Sequence, residues 1–228
     1  MSVNGTLKRR SAVSLNAIHL CIPHMQIELI VTGPIQENCY IGMDEATQQA
    51  VVIDPGEDAP RIIEVIERIG AQPIAIINTH CHFDHVGAVN AIRKQYNIPF
   101  YIHPDDEPML ASASASAQRF SLPLDQPQLD QFIREGETFT VGQTTLTVRF
   151  TPGHCPGHIV LVGDGFVFAG DVLFAGSVGR TDIPGASWAV LEKSIQTQLL
   201  TLPDETIVLP GHGPTTTIGR ERQTNPFL

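Results

Sequence analysis

Residues 79–85 read Thr-His-Cys-His-Phe-Asp-His, which places His80, His82, Asp84 and His85 within six positions. Neutral imidazole nitrogens and carboxylate oxygens are ligands for zinc, iron and manganese. At this chain's own His and Asp frequencies, H-x-H-x-D-H arises by chance in on the order of one such sequence in a thousand. The competing reading is a solvated polar loop. It is the weaker one, because unpaired polar groups clustered behind a buried strand are costly. Three further candidates stand where an apolar run meets a glycine-containing turn: His154 after Thr151-Pro152-Gly153, Asp171 after Gly170, and His212 after Pro210-Gly211. Seven ligands, His80, His82, Asp84, His85, His154, Asp171 and His212, are too many for one tetrahedral zinc. They suit two divalent ions bridged by one carboxylate, each with a position open to water. Zinc is the expected metal, and iron and manganese accept the same donors. Such ions lower the pKa of bound water toward about 7 and polarise a carbonyl or phosphoryl oxygen, so the implied chemistry is hydrolysis. His158 reads as a group behind the ligands or a residue of the next strand. His19, His24 and His103 lack any such context.

These side chains need strand ends to hold them, since open α/β sheets place their sites outside the carboxyl ends of strands. Strands are expected over 26–31, 38–41 and 50–53, ending at Asp54-Pro55-Gly56. A helix follows, with Asp58 as its N-cap and Gly70 as its stop. Ile74–Ile77 is a short apolar strand that delivers the H-x-H-x-D-H loop, and Val86–Tyr96 reads as the next helix. A strand is expected at 98–102 and a helix over 105–120, whose Ala/Ser alternation at 111–117 favours packing or mobility over chemistry. The segment 121–136 reads as a long loop and a candidate lid. Two hairpins (138–150 and 159–169), a helix over 188–200 and a strand over 206–209 complete the pattern. The fold class is α/β: two similar halves, each a sheet covered by helices, in one domain over 25–228. Residues 1–24 read as a disordered or non-essential extension, with a weak targeting peptide as the other reading.

The chain has 228 residues, 42% hydrophobic and 17% charged, which is enough to bury a sizeable core. Its net charge of −10 lacks the basic footprint of a nucleic-acid binder, although a site's local field can still favour a small anion. Cys21, Cys39, Cys81 and Cys155 form no C-x-x-C pair and read as free thiols of a reducing, cytoplasmic compartment. No apolar stretch reaches the roughly 18 residues of a membrane span. Nothing in the sequence sets an oligomeric state.

Together, Thr79–Gly87 (THCHFDHVG), Thr151–His158 (TPGHCPGH), Gly170–Asp182 (GDVLFAGSVGRTD) and Pro210–Pro214 (PGHGP) resemble the metallo-β-lactamase superfamily. Within it they resemble the glyoxalase II group, hydrolases of S-2-hydroxyacyl-glutathione thioesters such as S-D-lactoylglutathione. The resemblance runs from about Met25 to the end of the chain and implies a four-layer αββα sandwich. It implies that His80, His82 and His154 hold one metal and that Asp84, His85 and His212 hold the other. Asp171 would bridge them, and Asp84 would count as a catalytic group as well. A metal-bridging hydroxide would attack the thioester carbonyl, and the thiolate would leave. Arg180 aligns with a basic residue that touches the glutathione moiety; the alternative is a surface ion pair with Asp182. Only 16 residues follow His212, so the chain resembles the short bacterial type without the C-terminal helical domain, which leaves the identity of the acyl donor open. A persulfide dioxygenase with a single iron resembles this group closely, but the second set of ligands counts against it. A β-lactamase typically has a Cys where Asp171 stands. An RNA-processing member would need a basic arm, and a binding module without catalysis would be expected to lose ligands.

Overall fold

Val51 and Ile53 point one way along their strand and Ala50 and Val52 the other, yet all four are buried. A strand this apolar on both faces must be covered on both, as in an internal layer of an α/β protein. The structure, a computed structural model, describes residues 18–22 and 24–228. Among them, the first sheet contains seven strands in the order of the chain: β1 (Ile18–Ile22), β2 (Met25–Thr32), β3 (Glu37–Asp44), β4 (Gln49–Ile53), β5 (Gln72–Ile77), β6 (Phe100–Ile102) and β7 (Gln131–Phe132). Strands β1 to β4 are antiparallel, and β4 to β7 run parallel. Helices α1 (Ala59–Ile69), α2 (Phe83–Val86), α3 (Val89–Tyr96) and α4 (Glu107–Arg119) belong to this half.

The second sheet holds β8 (Thr138–Val141), β9 (Thr144–Phe150), β10 (Ile159–Gly163) and β11 (Phe166–Gly170). After the small β12 (Leu173–Phe174) and β13 (Ser177–Val178) pair and helix α5 (Trp188–Ser194), β14 (Ile207–Pro210) joins β11 in parallel. Strand β15 (Thr216–Thr217) and helix α6 (Ile218–Thr224) end the chain. Between the sheets, Ile27, Tyr40, Ile53 and Ile77 meet Val148, Leu161, Phe168 and Leu209. The outer face of the first sheet packs on α1, α3 and α4 through Ile62, Ile66, Ile92 and Leu110. That of the second packs on α5 and α6 through Val167, Val208, Leu191 and Ile218. This is the four-layer αββα sandwich. Each buried Ile, Leu or Val in it contributes roughly 1.5–3 kcal/mol by leaving water.

Local structure departs from expectation at five places. Ile18–Ile22 lies within the segment set aside as disordered, yet it pairs along its length with Met25–Leu29, because the edge of β2 offers unpaired backbone groups to any β-prone neighbour. The rest of that segment, apart from His24, lies outside the described residues. The single helix expected over 86–96 breaks at Gly87-Ala88 into α2 and α3, and the short α2 takes Asp84 and His85 with it. Asp58 stands at the N-cap of α1 but does not cap it; in a left-handed conformation (φ 54°), its carboxylate accepts the Gly33 N–H instead. The last turn of the helix expected over 188–200 widens to a π turn at Ile195–Leu199. The segment 121–136 forms no lid over the site. Gln126 fastens it to α4 by donating to the Leu110 carbonyl and accepting from Ser114 N–H, and Gln131–Phe132 joins the first sheet.

Candidate metal centre

The ligand loops leave the two sheets on the same side. Strand β5 delivers His80, His82, Asp84 and His85; β9, β11 and β14 deliver His154, Asp171 and His212. Two three-residue groups form there, each with donor atoms within 4.8 Å of one another: His80, His82 and His154, and Asp84, His85 and His212. Asp171 faces both. Its Oδ2 lies 3.6 Å from His154 Nε2, 3.7 Å from His212 Nε2 and 4.0 Å from His80 Nε2, and its Oδ1 lies 3.6 Å from His85 Nε2. The structure therefore brings together all seven residues singled out in the sequence. His80 Nε2, His85 Nε2 and Asp171 Oδ1 are buried there without any hydrogen-bond partner. Three orphaned polar atoms in one spot would be a heavy cost in a purely structural cluster, and they are the atoms that a bound cation would satisfy. The residues present therefore fit a pair of divalent ions.

The rings are aimed from behind. His80 Nδ1 is 3.1 Å from Thr79 Oγ1, whose hydroxyl donates to Asp54 Oδ2 at 2.6 Å. The His80 ring must therefore donate to the threonine and keep Nε2 unprotonated toward the site. His85 Nδ1 sits 3.2 Å from Asp54 Oδ2, His154 Nδ1 is 2.9 Å from the Arg180 carbonyl, and His212 Nδ1 is 3.3 Å from the Gln36 carbonyl. In each case an acceptor behind the ring turns Nε2 forward, as holders of metal-ligating histidines do. Asp54, His80 and His85 also approach one another within 4.8 Å. Asp54's oxygens are already engaged by Thr79 N–H, Thr79 O–H and His85, so it reads as a buttress.

Electrostatics divide the two groups. Burial, together with the surrounding imidazoles, holds His80 well below the usual histidine range; burial, then His154, brings His82 down to about 4. These two are neutral at pH 7, the form that ligates. Burial also opposes charge on His85, but Asp171, Asp84 and Asp54 outweigh it and raise its pKa well above the ordinary value. His212 is raised in the same way, against burial, by Asp84 and Asp171. Asp84 is held well below the carboxylate range, its burial more than offset by His85, His212 and His82.

Several residues of this site carried no signal in the sequence. Asn38 donates from Nδ2 to the carbonyls of Pro210 and Gly213 (2.9 Å each), its N–H donates to Gly211, and Tyr40 OH donates to Pro210 at 2.7 Å. These bonds hold the His212 loop across 170 residues of chain or more. Glu37 is buried beside His85, with Thr32 donating to it at 2.6 Å; burial lifts its pKa well above the usual range. Asp106 accepts from the backbone of Cys81 and of Gly157 and so ties two ligand loops together. Cys39, Cys81 and Cys155 are buried free thiols. His158 is no ligand: it lies behind Asp171, its ring stacked on His80.

A cleft of about 1130 Å³ opens over the ligands. His82, Asp84, His154, Asp171 and His212 line its floor, and Ile35, Phe83, Phe120, Phe174 and Ile183 give it apolar walls. Arg180 lies on its rim and pairs with Asp182 at 2.9 and 3.1 Å, with both side chains about 70% exposed, so the ion pair weighed as its alternative role is present. One face of α4 also forms a wall through Met109, Ser112, Ala115, Ser116 and Arg119, which the Ala/Ser alternation did not suggest. No helix among the described residues is long and apolar enough to cross a membrane.

Residues 32–212 match the family model described as the metallo-beta-lactamase superfamily. The chain is 38% identical over 218 residues to "Hydroxyacylglutathione hydrolase GloC" of Haemophilus influenzae, covering 90% of this chain and 98% of the relative. Among solved structures, it resembles BLEG-1, described as a B3 metallo-beta-lactamase, with a TM-score of 0.83, 40% identity and coverage of 89% and 99%. It also resembles TTHA1623 in a di-iron-bound form, with a TM-score of 0.81, 41% identity and coverage of 88% and 99%.

Proposed function

This chain belongs to the metallo-beta-lactamase superfamily and is a metallo-hydrolase of that group; we propose that it hydrolyses small thioesters of the S-2-hydroxyacylglutathione type, releasing a 2-hydroxy acid and a thiol. The observation that carries the reading is the convergence of two His/carboxylate groups on one shared carboxylate, Asp171, at the floor of a substrate-sized cleft. The thioester assignment draws on the motif resemblance and on the relative named a hydroxyacylglutathione hydrolase.

In this reading His80, His82 and His154 would hold one divalent ion, Asp84, His85 and His212 would hold the second, and Asp171 would serve both. Zinc is the first candidate, and the di-iron form of TTHA1623 makes iron the second. When bound, such ions supply acidified water at neutral pH and polarise the substrate carbonyl. The protein's own residues position the partners. Asp84 Oδ2 lies 3.3 Å from His212 Nε2 and 3.9 Å from His85 Nε2. Because its pKa lies well below the usual range, Asp84 stays ionised and orients attacking water as an acceptor; it does not store a proton. The apolar walls exclude bulk water from the carbonyl, and Arg180, on the rim, meets the thiol half of the substrate. The buried reduced cysteines support a cytoplasmic setting.

Metal analysis paired with a thioester panel tests this. Metal-dependent thiol release from S-D-lactoylglutathione is expected. Oxygen uptake with glutathione persulfide and no thioester hydrolysis would overturn the proposal in favour of a dioxygenase.

A further inference from the structure

The α4 wall of the cleft carries a feature that the metal chemistry does not use. Met109, Ser112, Ala115, Ser116 and Arg119 fall at spacings of three and four, so a single helix face looks into the cleft. The chain then places Phe120 on the same wall, 62% exposed, with its ring stacked on Phe83 at 4.9 Å and 27°. Phe83 lies between the candidate ligands His82 and Asp84, so the aromatic pair begins at the metal site. Ile35, 38% exposed, lines the same cleft. Large apolar side chains left in water along one cleft mark a surface that a ligand covers.

Arg119 adjoins this pair. Of the two arginines on the cleft, Arg180 pairs with Asp182, whereas among the described residues no carboxylate lies within ion-pair distance of Arg119. Of the acidic side chains on the cleft, Asp84 and Asp171 point into the metal centre, and the exposed Asp105 approaches His103. Arg119 is thus a guanidinium on this cleft that an anionic group of a bound ligand meets without displacing a carboxylate of the protein.

We propose that Arg119 and Phe120 form the recognition point for the thiol half of the substrate, Arg119 pairing with a carboxylate and the Phe83–Phe120 pair covering the apolar group that bears it. This rests on the thioester-hydrolase reading: with a small 2-hydroxyacyl group over the metals, most of the 1130 Å³ is left for the thiol half. Arg119 is thereby a specificity residue with no part in the bond-breaking step.

The test uses lactoyl thioesters of 4-(mercaptomethyl)benzoate and of benzyl mercaptan, which share a ring and differ in one carboxylate. Arg119→Ala is expected to raise KM for the carboxylate substrate about fivefold, while KM for the neutral one and kcat for both stay unchanged, with partial recovery in Arg119→Lys. Phe120→Ala is expected to raise KM for both alike. An equal effect of Arg119→Ala on the two substrates, or none, overturns the anchor. If metal-loaded wild type cleaves neither these thioesters nor S-D-lactoylglutathione, the hydrolase reading falls. The anchor is then read from binding of the thioether 4-(methylthiomethyl)benzoate: a Kd about fivefold weaker in Arg119→Ala supports it, and an unchanged Kd overturns it.

Discussion

His158 Nε2 accepts the backbone N–H of Asp171 at 3.0 Å. The other ring nitrogen lies 3.0 Å from Thr151 Oγ1, and burial, together with the neighbouring imidazoles, holds the ring's pKa well below the usual histidine range. It is therefore neutral, with Nε2 as the acceptor and Nδ1–H directed at the threonine. Gly170, at φ +48°, lets the chain turn here; a Cβ on it would stand 2.7 Å from His158 Nε2. The carboxylate shared by both ligand groups is thus placed by a histidine that ligates nothing.

Replacing His158 with Leu leaves the Asp171 N–H buried and unpaired, at a cost of about 1–3 kcal/mol. Metal affinity is expected to fall about 10- to 100-fold, as when other supports of metal ligands are removed. Chelator-competition titration reads the affinity and thermal unfolding the stability. His158→Gln keeps an acceptor and should recover part of the loss; equal affinity in Leu and wild type would contradict the assignment.

Asn38 should affect the two ions unequally. Asn38→Ala removes two hydrogen bonds to the Pro210–Gly213 loop and so loosens the hold on His212, leaving it to the Asn38 N–H on Gly211 and the Tyr40 hydroxyl on Pro210. The expected result is a fall in bound metal from two equivalents toward one, with about 1–3 kcal/mol of lost stability. Parallel loss of both ions would show that Asn38 supports the whole site.

The two groups should also differ in proton release. Asp171 and Asp84 raise the pKa of His85, and Asp84 and Asp171 that of His212, so both rings hold a proton more tightly than a free imidazole and give it up to an incoming ion. Affinity of the Asp84–His85–His212 group therefore rises with pH until the raised pKa values are passed. His82, at about 4, and His80, lower than usual, are already neutral, so their group gains little from the same increase. Calorimetry in buffers of different ionisation enthalpy measures this directly; identical proton release for the two binding steps would refute the division.

Asp171→Ala is expected to abolish hydrolysis and remove both ions, and His82→Ala to abolish hydrolysis and lower metal content. Metal analysis and thiol release check both, and full activity in either variant would rule out the ligand assignment. Gly211→Ala should act on the same carboxylate sterically, since its Cβ would meet Asp171 Oδ1 at 2.2 Å.

The ligands were legible because metal binding constrains residue type and spacing within short segments, and because apolar strands ending in glycine turns mark where sites form. His80 through His85, His154, Asp171 and His212 all announced themselves in this way. Their supports did not. Asp54 looked like a turn residue, Asn38 like a strand residue and Asp106 like part of a helix start, because one buried carboxylate or amide has no pattern of its own. The break of the 86–96 helix at Gly87-Ala88 and the place of α4 on the cleft wall were likewise hidden, since helix propensity and small-residue composition do not say what a face will meet.

The sequence by itself determined the α/β class, the seven candidate ligands and the hydrolytic chemistry they imply. All three depend on residue identity and local order. Only the tertiary structure decided that Asp171 stands between the two groups, that Asn38 holds the His212 loop and that Arg119 shares a cleft with the ligands. Those relations join residues tens to more than a hundred positions apart, and it is the packing of two sheets face to face, with their ligand loops on the same side, that brings them within hydrogen-bond reach or onto one cleft.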